Sequence, residues 1–445
     1  MNALPLLPDA SSDIIVAVHK GRLITRAEFL GEALALAAQL PAHTPVLNLC
    51  ADRYHFAIGL FACIARGTLS LLPNALTREI IAGLHRQHPA LHCLSDQGDN
   101  PFDLPMIIVQ AQGAQVPPCL EAPLIPAEQL VAQVFTSGST GTPQAHAKRW
   151  GSLTINCIAE AQRLWEGAGG PCTVVGTVPF QHMYGLESTV LMPLLGGGVL
   201  CAQRPFYPGD IAETLAELLE PRMLVTTPVH LRTLLDAELP VPPLALVLSA
   251  TAPLADALAE RAERELGAPL HEIYGATETG QLASRRTCSR EPWRTLGTIR
   301  LRQADGVTLA SGGHIEVESP LNDIVELVDA HNFRLVGRNS DMINIGGKRS
   351  SLAFLNHILT SLPGVRDGVF CLPDPDSEKA RLAAFVVAPQ LATEDILQAL
   401  RSHIDAVFLP RPIIFVDSLP RNSTGKITQD ALQTLITTHL RNAQH

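Results

Sequence analysis

Apolar and polar positions alternate along this chain with two different periods. EFLGEALALAAQL (28–40) repeats its apolar residues every three or four positions and predicts a helix. TPVLNLC (44–50) is a compact run of strand length, and HFAIGLFACIARG (55–67) returns to the helical period. The alternation continues with TVVGTVPF (173–180), MLVTTPV (223–229) and LALVLSA (244–250) as strands, and with HLRTLLDAE (230–238) and LADALAERAEREL (254–266) as helices. Strands interleaved with helices predict an α/β protein whose parallel sheets are covered on both faces. From 303 to 345 the texture shifts to shorter, glycine-broken strands (GGHIEVESP, DIVELVD, FRLVGR), a distorted β region. The last hundred residues form a smaller α+β unit, in which GVFCLPD and RLAAFVVAP pair as strands. There Thr393 is expected to cap a helix carrying Glu394 and Asp395 in its first turn and Ile396, Leu397, Leu400 and Ile404 on its apolar face. The expected division is a large unit over 1–338 and a small one over 339–445.

Composition narrows the class. The 445 residues are 46% hydrophobic and 17% charged, which fits buried cores in two or more domains and not a disordered chain. A net charge of −10 argues against a general nucleic-acid binder. It is unevenly spread: 12 Lys+Arg and 10 Asp+Glu from Arg334 onward give +2, leaving −12 upstream. Nine cysteines without a CxxC pair read as reduced core thiols, not as a disulfide frame or zinc site. No basic stretch precedes the first apolar run, and the longest apolar segment, STVLMPLLGGGVLCA, is too short to span a bilayer. The expectation is a soluble cytoplasmic enzyme.

TSGSTGTPQ (136–144) follows the strand-like VAQVF and is the first segment with candidate chemistry. Gly138 and Gly141 allow backbone N–H groups to approach an anion, and Thr136, Ser137, Ser139 and Thr140 add hydroxyl donors. It is neither GxxxxGK[ST] nor GxSxG, and alone such a loop is more often a flexible connector. It is followed, however, by PFQHMYG (179–185), LSATAPL (248–254), YGATETG (274–280), NDIVEL (322–327), LVGRNSDMINIGGKR (335–349) and LPRNSTGKI (419–427). In this order and spacing, from about residue 130 to 430, the motifs resemble the adenylate-forming superfamily of acyl- and aryl-CoA synthetases, adenylation domains and luciferases.

The resemblance implies that ATP and Mg²⁺ are used to activate a carboxylic acid. Residues 136–141 would grip the β- and γ-phosphates, Tyr274 would stack on adenine, Thr277 would bond the α-phosphate and Glu278 would ligate Mg²⁺. Ser249 and Ala250 would form a second adenine wall, although a plain strand-to-helix turn explains them too. Asp323, preferred over Asp329, and Arg338 would hold the ribose. Lys426 would bring an ammonium to the reacting carboxylate and α-phosphate. His182 would stand beside the acid pocket and thiol tunnel, or be an ordinary half-buried histidine. Gly346, Gly347 and Lys348 would line the tunnel once a mobile small domain has swung. The pocket would draw on Thr154–Ala159, His182–Glu187 and Thr227–Leu231, a mixture compatible with aryl and fatty acids.

The chain departs from the family pattern at three places. Gln144 replaces the usual lysine of the phosphate loop, with Lys148 a nearby source of charge; LND replaces TGD before the ribose strand; Ser340 stands at the hinge. The reaction implied is acyl-AMP formation followed by transfer to the pantetheine thiol of CoA or of an acyl carrier protein (the 4′-phosphopantetheine form). The alternatives are a non-catalytic nucleotide-binding homologue and an adenylating enzyme with a non-thiol acceptor.

Overall fold

A computed structural model describes residues 2–73, 75–98, 100–111, 113, 116–136, 144–338, 342–345, 348–373, 381–422 and 425–441. Two large sheets build the first three hundred residues. One orders its strands Gln144–Arg149, Leu130–Thr136, Ser70–Leu72, Val46–Asn48, His92–Ser95 and Met106–Ile108, parallel except for the hairpin of the first two. The other is eleven-stranded, with a parallel centre formed by Ile15–His19, Val199–Cys201, Thr173–Gly176, Arg222–Thr226, Leu246–Ser249 and Leu270–Ala276. Antiparallel strands flank this centre, ending at Asp323–Leu327 on one side and Arg22–Thr25 on the other. The predicted α/β layering is thus present, with a three-stranded antiparallel sheet over 300–320 supplying the distorted β region.

The helices between these sheets come from strong local signals. Asp52 accepts from the backbone N–H groups of Tyr54 and His55 and starts Arg53–Arg66, and Gly67 ends it in the left-handed conformation. Every residue from Arg53 to Ile64 is buried, so this helix lies inside the layers rather than on them. Arg53 is fully buried, and its guanidinium donates to the carbonyl oxygens of Gly176, Cys201 and Gln203, tying the helix to the larger sheet. All nine cysteines are unpaired, seven of them buried. His19, Asp52 and His55 gather tightly, but Asp52 caps the helix while His55 meets Asp96 and the Ala111 N–H, which occupies this set structurally.

Two apolar clusters consist solely of residues from Ile343 onward, while the others end at Phe333. Asp367–Cys371 and Ala383–Val387 pair antiparallel, and Ile413–Phe415 adds a parallel third strand. One local expectation is corrected here. The helix Thr393–Arg401 is entered from Ala392, so Thr393 is its first residue and not its cap. Asp395 performs the polar part, accepting from the Ala392 N–H at 2.9 Å, because a carboxylate three residues into a helix can satisfy a free donor at its start. Ile396, Leu400 and Ile404 are buried as the spacing predicts, with Leu397 packed at the edge. No helix among the described residues is long and apolar enough to cross a membrane.

Candidate active site

The carboxyl ends of the parallel strands in the larger sheet point to one place, where open α/β sheets hold their ligands. Leu246–Ser249 ends at Ser249, whose hydroxyl is fully buried and finds no hydrogen-bond partner among the described residues. Ala250 is 9% exposed, and Thr251 takes φ +78°, a backbone region that a β-branched residue rarely enters. The next strand, Leu270–Ala276, ends in the turn carrying Thr277 and Glu278; Thr277 is half-buried and Glu278 exposed. Tyr184, two residues after His182, ties the neighbouring strand ends by donating to the carbonyl oxygens of Thr226 (3.1 Å) and Leu248 (3.2 Å).

Tyr274 and Asp323 meet. The tyrosine hydroxyl donates to the Asp323 carboxylate at 2.6 Å, and its ring packs on Phe333 and Trp293 with centroids 5.5 and 5.8 Å away. Asp323 starts its strand opposite Arg338, its register partner. Asp329 has a different occupation: it accepts from the N–H groups of His331 and Asn332 and from the Asn332 side chain, closing a tight turn. Thr136 bonds His146 across its hairpin at 3.0 Å. Ser137, Gly138, Ser139, Thr140, Gly141, Ser340, Gly346 and Gly347 lie outside the described residues, as does the side chain of Arg338.

From the small unit comes Lys426. Its turn is closed by the Asn422 N–H donating to the Lys426 carbonyl (2.8 Å) and by the Lys426 N–H donating to the Asn422 side chain (2.9 Å). Arg421 adds a two-pronged pair to Asp367 and a bond to the Gly425 carbonyl. This turn lies against the large unit: a β-carbon on Gly425 would stand 3.7 Å from Val229 and 3.9 Å from the hydroxyls of Thr227 and Thr251. Gly425 has φ +77°, so the turn needs glycine there. The Lys426 ammonium is close enough to His182 to help hold that imidazole below its usual pKa; burial is the larger cause, and Arg204 adds to both. Lys348 is elsewhere, exposed and paired with Asp405.

Residue pattern alone did not mark the polar layer behind the Thr277–Gly280 turn. Lys148, only 7% exposed, donates to the Thr277 carbonyl (2.5 Å) and reaches that of Glu278 (3.4 Å). His314 meets the Thr279 carbonyl at 2.7 Å. Gly280 has φ +74°, and a β-carbon there would lie 2.9 to 3.1 Å from Asn156, Glu187 and His314. Glu187 and Glu160 are buried behind it, with Asn156 and Ser188 as donors. Burial pushes the Glu187 carboxyl up to about 7 and Glu160 to about 8. Lys148 comes from a strand and His314 from a hairpin turn, both remote in sequence, so only the fold joins them to the 277–280 turn.

The AMP-binding enzyme family matches residues 10–307, and its C-terminal domain matches residues 355–426. The chain therefore belongs to the AMP-binding enzymes. It is 31% identical over 297 residues to 4-coumarate–CoA ligase of Rhodobacter capsulatus, covering 65% of this chain and 73% of that one. It is 23% identical over 360 residues to 2-succinylbenzoate–CoA ligase of Bacillus cereus, with 69% and 71% covered. Among solved structures, MatB of Rhodopseudomonas palustris with ATP bound shares the fold at TM-score 0.79 and 18% identity, covering 96% and 97%. The anthranilate CoA ligase AuaEII with anthranoyl-AMP does so at 0.81 and 16%, covering 99% of each chain.

Proposed function

We propose that this chain is an acid–thiol ligase that uses ATP to convert a carboxylic acid, of the aryl type its relatives are named for, to acyl-AMP and then to the CoA thioester. The observation that carries this reading is the meeting of the Lys426 turn with Thr227, Val229 and Thr251 beside His182, at the strand ends that also bear Tyr274 and Thr277. One ammonium, an aromatic face, a carboxylate suited to a ribose diol and an exposed carboxylate then surround a single cleft.

The donor set fits the nucleotide and its metal. Glu278 is a solvent-reachable carboxylate, the oxygen ligand a hard cation takes, usually with only one or two such ligands from the protein. The orphaned Ser249 hydroxyl and the strained Thr251 stand where the adenine wall is expected. Mg²⁺, when bound, would neutralise charge on the leaving pyrophosphate. Tyr274 offers its ring face, Asp323 accepts from ribose hydroxyls, and the Thr277 hydroxyl donates to the α-phosphate. Lys426 stabilises the charge that gathers between attacking carboxylate and α-phosphate, a position where a fixed donor is effective because it is already oriented. His182, held neutral near pH 7, borders the acid without adding a charge.

We further propose that residues 339–445 act as the lid, that this arrangement is the adenylating one, and that rotation of the lid exchanges Lys426 for Gly346, Gly347 and Lys348 at the thiol tunnel. The enzyme would work in the cytoplasm, where CoA is held. An acyl carrier protein is the second acceptor, favoured only by the +2 carried from Arg334 onward against −12 upstream. The deciding experiment is acid-dependent pyrophosphate release over benzoic, cinnamic and fatty acids, with CoA and a phosphopantetheinylated carrier as acceptors. Release with aryl acids and thioester formation on CoA is expected. No release with any acid would leave a nucleotide-binding homologue, and release without thioester would leave a non-thiol acceptor.

A further inference from the structure

Buried polar groups away from the reacting atoms collect on one side of the Thr277–Gly280 turn. Burying an ammonium is costly, so a lysine left 7% exposed must be compensated. Lys148 is compensated by carbonyl oxygens of the turn itself: that of Thr277 accepts from it, that of Glu278 lies at 3.4 Å, and His314 takes up the Thr279 carbonyl. Three successive carbonyls are thereby faced by side chains from two separate stretches, the strand Gln144–Arg149 and the turn before the strand Ile315–Pro320. The charges facing Lys148 are the carboxylates of Glu187, Glu278 and Glu316. Gly280 closes the turn with a positive φ, packed so tightly on Asn156, Glu187 and His314 that no side chain fits.

We infer that Lys148, seconded by His314, is a positioning residue that clamps the backbone of the 277–280 turn and so fixes the direction in which Thr277 and Glu278 present their side chains. This inference rests on the reading of that turn as the nucleotide and metal turn. It also gives Lys148 an occupation other than replacing the lysine missing at Gln144. With its carbonyls held from behind, the turn has its orientation set before any ligand arrives. A misplacement of about 1 Å at such a group costs on the order of 10²-fold in rate.

Two readouts separate this from a merely structural lysine. In the ligand-free protein, Lys148→Met should raise amide hydrogen exchange of residues 277–280 by about tenfold, while the strand Leu270–Ala276 keeps parent rates. By calorimetry the same variant should bind Mg²⁺·ATP more weakly, and turnover should fall about 10²-fold with KM for the acid unchanged. Lys148→Arg should restore part of each effect, and His314→Gln should move each in the same direction by less. Parental exchange and parental Mg²⁺·ATP affinity in a folded Lys148→Met protein would overturn the inference. If that variant fails to fold, His314→Gln decides by the same two readouts. Glu278→Gln keeps the two ideas apart. Unchanged Mg²⁺·ATP binding there with a loosened turn in Lys148→Met would sink the metal reading and leave the clamp standing. A silent Lys148→Met beside a damaging Glu278→Gln would do the reverse.

Discussion

Two turns, one in each unit, carry candidate residues, and they are held in opposite ways. The Thr277–Gly280 turn is braced by side chains from elsewhere: Lys148, His314, Asn156 and Glu187 reach it from three other stretches of chain. The Asn422–Ile427 turn holds itself, through Asn422, Arg421 and its own backbone, and is anchored to Asp367 of the same small unit. The first is thus fixed to the large unit, whereas the bonds described for the second come from its own small unit. On the function proposed above, the former design would suit a metal site and the latter a lysine that arrives and leaves.

Removing the ammonium of the small unit's turn should have the largest effect. Lys426→Ala is expected to slow pyrophosphate release by about 10²–10³-fold with ATP affinity nearly unchanged; equal rates for variant and parent would take this lysine out of the chemistry. On the fixed side, Asp323→Ala should raise KM for ATP by roughly 10- to 100-fold, the usual value of hydrogen bonds to a charged group. Asp329→Ala should leave it alone, since that carboxylate serves its own turn. If the two aspartates exchange effects, the ribose assignment moves to Asp329.

Smaller effects sharpen the contrast in bracing. Gly280→Ala forces a side chain into a left-handed backbone site already in contact, and chemical denaturation should show a loss of about 1–3 kcal/mol. The buried carboxyls give the layer a pH signature. Glu160 and Glu187 titrate in the folded protein at about 8 and about 7, above the ordinary carboxyl range. The folded state therefore holds protons that the unfolded chain has released, so their contribution is full below about pH 4.3 and is lost as pH rises through 7 to 8. Melting temperature should decline across that window, and Glu160→Gln should flatten the decline; an identical profile in the variant would show that Glu160 ionises normally.

Much of the architecture was readable from local pattern. The helices Arg26–Ala37, Arg53–Arg66 and Asp256–Leu266 and the strands ending at Gly176, Thr226 and Ser249 follow from period and length, because burial of one face is encoded residue by residue. The capping of Thr393–Arg401 was not, since Thr393 is the expected cap and Asp395 instead accepts from the Ala392 N–H. The motif order carried the family and with it Tyr274, Glu278, Asp323 and Lys426 as candidates. Spacing favours Asp323 over Asp329, and the two differ in their hydrogen bonds: one meets Tyr274, the other His331 and Asn332.

What the sequence by itself determined, then, is the set of parts: alternating elements, glycine turns at strand ends, and the residue types a nucleotide and an acid require. Only the tertiary structure decided the company each part keeps. Lys148 is a surface-type residue in a polar hexapeptide until the fold buries it against carbonyls some 130 positions away, and His314 lies in a glycine-rich turn between two strands with no mark upon it. The reason is physical: a local pattern records which face of an element avoids water, whereas a buried hydrogen bond depends on where distant backbone arrives, and no spacing rule along one segment contains that distance.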